Sequence, residues 1–121
     1  MEKNITVRLT ARLFAEEKCY GPGVEQLLKA VEQHRSLRAA AASMSMAYSK
    51  AWSIIRAAEQ GFGCKLLHST IGGSGGGGAE LTDEARQIMA AYETYCARMN
   101  EYGQALFGEL FPFCARDDTI D

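Results

Sequence analysis

Apolar and polar residues alternate from position 5 to position 13. Ile5, Val7, Leu9, Ala11 and Leu13 fall on one side, and Thr6, Arg8, Thr10 and Arg12 on the other. A period of two is that of an extended chain, so a half-buried strand is expected over 5–15. Tyr20-Gly21-Pro22-Gly23 reads as the turn that ends this segment. The period then changes to that of a helix. Val24, Leu27, Leu28 and Val31 recur at helical spacing and predict a helix over 24–34. Ser36 suits the N-cap of a short alanine-rich helix over 37–42. Ser43-Met44-Ser45 interrupts it, and a third helix follows over 47–60, with Ala51, Ile54, Ile55 and Ala58 on one face and Gly61 and Gly63 at its end. Residues 65–71 and 79–81 read as short strands. Between them 72–78 is glycine except for Ser74, which excludes regular structure and leaves a hairpin with a glycine tip. Thr82 is placed to cap a long last helix, with Asp83 and Glu84 in its first turn, running to about Phe107.

In that last helix Ala85, Ile88, Tyr92, Tyr95, Met99, Tyr102 and Leu106 recur at intervals of three and four. Such a seam is the contact stripe of paired helices. The helix would be about 40 Å long, more than so small a domain can cover. An identical helix is the simplest partner, so a homodimer is expected. The expected organisation is a first domain over 1–81, a dimerisation helix over 82–110 and a tail over 111–121 to which no role is assigned.

The order of helix, short helix, tight turn, longer helix and hairpin predicts a mostly α fold with a small β component: a winged helix-turn-helix followed by a long C-terminal dimerisation helix. Small residues at 39–42 allow a second helix to cross closely. The third helix, braced in this way, can present its outer face to a major groove about 12 Å wide. The glycine tip can bring backbone up to a phosphate without a side-chain clash.

Composition narrows the class. The chain has 121 residues, 47% hydrophobic and 23% charged, which is ordinary globular material. No apolar run approaches a membrane span, and the N-terminus shows no secretory h-region. Cys19, Cys64, Cys96 and Cys114 form no CxxC pair, so free thiols and a cytoplasmic location are expected. The net charge of −2 is unusual for a nucleic-acid binder, but it is unevenly spread. Between Arg35 and Gly73 stand Arg35, Arg38, Lys50, Arg56 and Lys65 against Glu59 alone, a net +4 that leaves −6 elsewhere. A local basic face on an acidic chain is what a duplex site needs.

The candidate DNA contacts follow from the helical wheel. The face opposite Ala51 and Ala58 carries Ser49, Trp52, Ser53, Arg56 and Gln60, with Tyr48 and Lys50 beside it near the helix start. The serines can donate and accept, Arg56 and Lys50 can meet phosphate or guanine, and Tyr48 can meet phosphate or a thymine methyl. Trp52 suits either this face or a packing role between helices. Ser36, Arg38 and Ala47 beside this helix, and Ser74, Gly75 and Gly76 in the glycine tip, complete the expected contact set.

Three stretches carry a family resemblance: Ser36-Leu37-Arg38-Ala39-Ala40-Ala41, Met46-Ala47-Tyr48-Ser49-Lys50-Ala51-Trp52, and 72–78 followed by Ala79-Glu80-Leu81-Thr82. Together they closely resemble the N-terminal DNA-binding domain of the molybdate-dependent regulator family, ModE, over about 5–107. The helix-turn-helix alone also resembles the broader LysR-type regulators. The resemblance implies a homodimer through the long helix, binding double-stranded DNA through helix and wing. Family members carry a further C-terminal molybdate-binding region, for which a chain ending at Asp121 has no room, so molybdate is not an expected ligand. Ser74 stands where the family usually carries lysine, which implies a weaker grip of the wing on phosphate.

Two other classes are open to such a sequence. Gly73-x-Gly75-x-x-Gly78 matches a dinucleotide fingerprint, as any glycine run does, but no second strand follows the long helix, and Glu93 lies within that helix. His34 and His68 lack a metal or triad pattern. No enzyme, cofactor or metal site is expected. The alternative is a dimeric protein-interaction module, or a small oxyanion-binding protein, that has lost DNA binding.

Overall fold

The structure is a computed structural model that describes residues 5–70 and 78–114. In chain order it runs β1 (Leu13–Phe14), β2 (Lys18–Tyr20), α1 (Pro22–His34), α2 (Leu37–Ser43), α3 (Tyr48–Phe62), β3 (Leu67–Thr70), β4 (Gly78–Leu81), α4 (Asp83–Leu110) and a 3-10 turn (Pro112–Cys114). The strands form two antiparallel pairs, β1 with β2 and β3 with β4. The chain divides into two compact units: Ala11–Ala91, and Met1–Thr10 together with Tyr92–Asp121. The expected wing-tip contacts Ser74, Gly75 and Gly76, and all but Gly78 of the glycine fingerprint, lie outside the described residues. Among the described residues no helix is long and apolar enough to cross a membrane.

In the Ala11–Ala91 unit the core follows the helical spacing. Val24, Leu27, Leu28 and Val31 of α1 are buried, as are Leu37, Ala40 and Ala41 of α2 and Ala51, Ile55 and Ala58 of α3. The three helices contact one another. α1 begins at Pro22, before the first periodic residue, because proline suits a position whose N–H would have no helical partner. The N-caps are as expected. Ser36 Oγ accepts from the Ala39 N–H at 3.0 Å and Thr82 Oγ1 from the Ala85 N–H at 3.0 Å. Tyr20 was read as part of a turn, yet it is fully buried, edge-on to Phe62 at 5.8 Å between ring centroids. Its hydroxyl donates to Glu25 Oε1 at 2.6 Å, and Lys29 Nζ lies 3.9 Å from the other carboxylate oxygen. A buried carboxylate is tolerable only with such partners.

The strand expected over 5–15 reduces to Leu13–Phe14. Residues 5–12 form no ladder; Ile5 and Leu9, expected to face inward, are exposed. In the second unit, side chains of α4 take the place of a neighbouring strand. Asn100 accepts from the Leu9 N–H at 2.8 Å and donates to the Leu9 carbonyl at 3.0 Å, and Gln104 donates to the Val7 carbonyl at 2.7 Å. Alternation specifies an extended backbone but not what satisfies its polar groups.

The wing is anchored at the end of α1. Arg35 caps that helix in the left-handed region at φ 61° and its N–H bonds the Val31 carbonyl at 2.7 Å. Its own carbonyl accepts from the Ala79 N–H at 3.0 Å. A Cβ on Gly78 would lie 2.8 Å from that carbonyl oxygen and 2.7 Å from Thr70 Oγ1, so β4 can approach this closely only with glycine here. Gly78→Val is expected to lower stability by about 1–3 kcal/mol, read as a fall in the thermal unfolding midpoint; an unchanged midpoint would show that this approach is not tight.

Candidate nucleic-acid interface

α3 is amphipathic in the sense its spacing requires. Ala51, Ile55 and Ala58 are fully buried, while Ser49, Lys50, Ser53, Arg56 and Gln60 are exposed. Alanine at two of the three buried positions lets the helix lie close to its neighbours, and the tight turn before it is closed by Met44 and Met46 N–H groups donating to the Ala41 carbonyl at 3.0 and 2.8 Å. Ala47, exposed and extended, is the N-cap of α3.

Along one flank of α3 two adjoining rings are bracketed by two arginines. The Arg38 guanidinium sits 4.1 Å from the centroid of the Tyr48 ring. Tyr48 meets Trp52 edge-on at 6.4 Å, and Arg56 lies 5.4 Å from the Trp52 ring. Each cation–ring contact contributes about 0.5–1 kcal/mol at an exposed site. Its larger consequence is to reduce the rotamer freedom of two arginines before any ligand arrives. Trp52 is half-buried, and it lines this surface with Tyr48 and Arg56.

A groove of about 450 Å³ joins this row to the wing root, lined by Ser36, Arg38, Tyr48, Trp52, His68, Ser69, Gly78 and Ala79 among others. The structure therefore brings Ser36 and Arg38 of α2, Tyr48 and Trp52 of α3 and the base of the hairpin to one place. Two serines of the expected contact set already have local hydrogen bonds. Ser36 Oγ caps α2, and the Ser53 hydroxyl donates to the Lys50 carbonyl at 3.1 Å, leaving its lone pairs available. His68 and Ser69 were not expected here; a lone histidine without a metal pattern gives no signal until β3 is placed. His68 faces Glu80 across the β3–β4 ladder, with Nε2 3.5 Å from the carboxylate.

Glu59, the sole acid of the basic segment, lies half-buried toward the end of α3, on the flank that carries Trp52. One carboxylate oxygen accepts from the Leu66 N–H at 3.0 Å and the other lies 3.9 Å from Lys65 Nζ. It therefore serves the turn between α3 and β3, while still lining the Trp52 flank of α3 beside Arg56 and Gln60. The seam expected on α4 is split. Ala85 and Tyr92 are buried within the chain and Ile88 and Met99 half-buried, whereas Tyr95, Tyr102 and Leu106 are exposed.

Residues 26–86 match the model of a bacterial regulatory helix-turn-helix protein, lysR family. The chain is similar to the molybdenum transport protein ModE of Herbaspirillum seropedicae, 30% identical over 101 residues, which is 84% of this chain and 34% of that protein. It is similar to the transcriptional regulator ModE of Haemophilus influenzae, 30% identical over 89 residues, 74% of this chain and 33% of the relative. It is also similar to the molybdenum transport protein ModE of Azotobacter vinelandii, 36% identical over 81 residues, 67% of this chain and 29% of the relative. The chain thus spans about a third of the length of the curated relatives it matches.

Cys64 lines the end of the α3 surface with Trp52, Arg56, Gln60 and Lys65. Burial raises its thiol pKa, and the carboxylates of Glu84 and Glu59 push in the same direction. A raised thiol pKa favours the neutral form in the folded chain. Its contribution to stability is therefore complete at neutral pH and is lost as pH rises through the raised value. Cys64 is expected to react with iodoacetamide more slowly near pH 8 than an unstructured thiol, because the thiolate is the nucleophile. Glu84→Gln should accelerate that labelling, measured site by site by mass spectrometry; equal rates in the two proteins would remove the electrostatic cause.

Proposed function

Because the chain belongs to the lysR family of bacterial regulatory helix-turn-helix proteins, we propose that it is a sequence-specific, duplex-DNA-binding transcriptional regulator acting as a homodimer. The observation that carries this reading is the outward face of α3, where Ser49, Lys50, Ser53 and Arg56 stand exposed above a fully buried Ala51, Ile55 and Ala58. A helix gripped on one side only, and polar on the other, fits a major groove. Tyr48, Ser49, Lys50, Trp52, Ser53 and Arg56 read bases and phosphates, Arg38, Ser36 and Ala47 add contacts beside them, and the wing at Ser74, Gly75 and Gly76 meets the backbone or the minor groove. The names of two of the relatives connect them with molybdenum, but this chain spans about a third of their length, and no molybdenum role is part of the proposal.

Selection of bound duplexes from a random pool tests class and symmetry together, and a palindromic consensus with half-sites about 34 Å apart is the expected result. The double variant Lys50→Ala, Arg56→Ala should weaken binding to that consensus at least tenfold and make its salt dependence shallower. Undiminished affinity would show that α3 is not the reading helix. The sole tryptophan, Trp52, supplies an intrinsic signal for the titration.

The dimer contact is assigned to the exposed part of the α4 seam, Tyr95, Tyr102 and Leu106, with the half-buried Met99 among them. Ala85 and Tyr92 already have their partners within the chain. Tyr95→Glu combined with Tyr102→Glu should halve the mass found by light scattering. A wild-type chain already running as a monomer, or a variant of unchanged mass, would refute this contact.

A further inference from the structure

A second groove, of about 360 Å³, borders α3 and has no part in the contacts assigned so far apart from Lys50 and Ser53. Its other lining residues include Arg12 from the segment before β1, Lys18 from β2, and Gly21, Pro22 and Gly23 at the start of α1. Three cations from three different parts of the chain thus converge on one depression, and none of its lining residues is acidic. Arg12, Lys18 and Lys50 are all exposed, and none forms an ion pair among the described residues. The one acid in the first turn of α1, Glu25, is turned inward to the Tyr20 hydroxyl, so it does not neutralise the depression from within.

The position of this groove gives it a meaning. At about 100° per residue, Tyr48 and Trp52 stand roughly 170° around α3 from Lys50, Ile54 and Ala57. The exposed stripe of Ser49, Ser53, Arg56 and Gln60 lies between them. The Arg38 groove and the Arg12–Lys18–Lys50 groove therefore lie on opposite flanks of the same helix. A helix about 10–12 Å across nearly fills a major groove about 12 Å wide, so a phosphate strand must pass along each flank.

We infer that the Arg12–Lys18–Lys50 groove binds backbone phosphates of the DNA strand opposite the one that meets Arg38 and the wing root. This rests on the duplex reading of α3 given above. Gly23 and Val24, whose early amides in α1 have no partner within the helix, line the same groove and add to the attraction. Contacts of this kind supply affinity and orientation without sequence information.

The test uses the full chain and its Arg12→Gln, Lys18→Gln double variant, which alters neither α3 nor the wing. Fluorescence anisotropy with the selected duplex and with a scrambled one is followed across a salt series, with the thermal midpoint confirming that the variant is folded. The expected result is a dissociation constant raised about tenfold to a hundredfold near 0.1 M salt, and a slope of log affinity against log salt shallower by about 1.8. Preference between the two duplexes should not change. If affinity and slope are unchanged while Arg56→Ala still weakens binding, the groove inference falls and the reading of α3 stands. If the wild-type chain binds neither duplex, inorganic phosphate titrated against the Gly23 and Val24 amide resonances separates the two claims. Shifts that the double variant lacks would leave a site for a free phosphate compound without a duplex, and no shifts would overturn both.

Discussion

The surface proposed to meet a duplex depends on α3 being held by one side alone. That demand is met by residue size. Ala51 and Ala58 of α3 and Ala40 and Ala41 of α2 have essentially no solvent exposure, and Ile55, Leu27, Leu28 and Val31 fill the space around them. Methyl-sized contacts let helices approach closely while the remaining circumference of α3 stays free for polar groups. A larger residue at either alanine of α3 would push the helix outward and disturb the tight α2–α3 turn closed on the Ala41 carbonyl.

Charge is organised around the same helix. Two acids on or beside it already have partners: Glu59 with the Leu66 N–H and Lys65, and Glu25 with Tyr20 and Lys29. Glu32 pairs with Arg86, joining α1 to the start of α4 within one unit. The cations Arg38, Lys50 and Arg56 remain exposed, and two of them rest on aromatic rings that limit their wandering. A chain of net charge −2 can in this way keep a positive face, because a duplex responds to the local field rather than to the sum.

Family membership and geometry bear on different questions. The match over 26–86 runs from the second turn of α1 to the first turn of α4 and thus identifies the helix-turn-helix and wing root as a unit. It does not distinguish the two flanks of α3, and it does not reach Arg12 or Lys18. Those distinctions come from which side chains share a groove.

Much of this was legible in the order of residues. The helices, the caps at Ser36 and Thr82 and the buried stripe of α3 follow from local periodicity and local hydrogen bonding, which depend on residues three or four apart. The exposed set Ser49, Lys50, Ser53 and Arg56 follows from the same wheel. What the order of residues could not supply were the relations between distant segments. The alternation over 5–13 specified extended backbone, but only the folded chain supplied Asn100 and Gln104 as its partners. Tyr20 looked like a turn residue until Glu25 and Phe62 closed around it. Arg12, Lys18 and His68 carried no local sign of a site, because a groove exists only once strands and helices far apart in sequence have packed. Periodicity reports how one element divides its own surface; which surfaces meet is decided by tertiary packing.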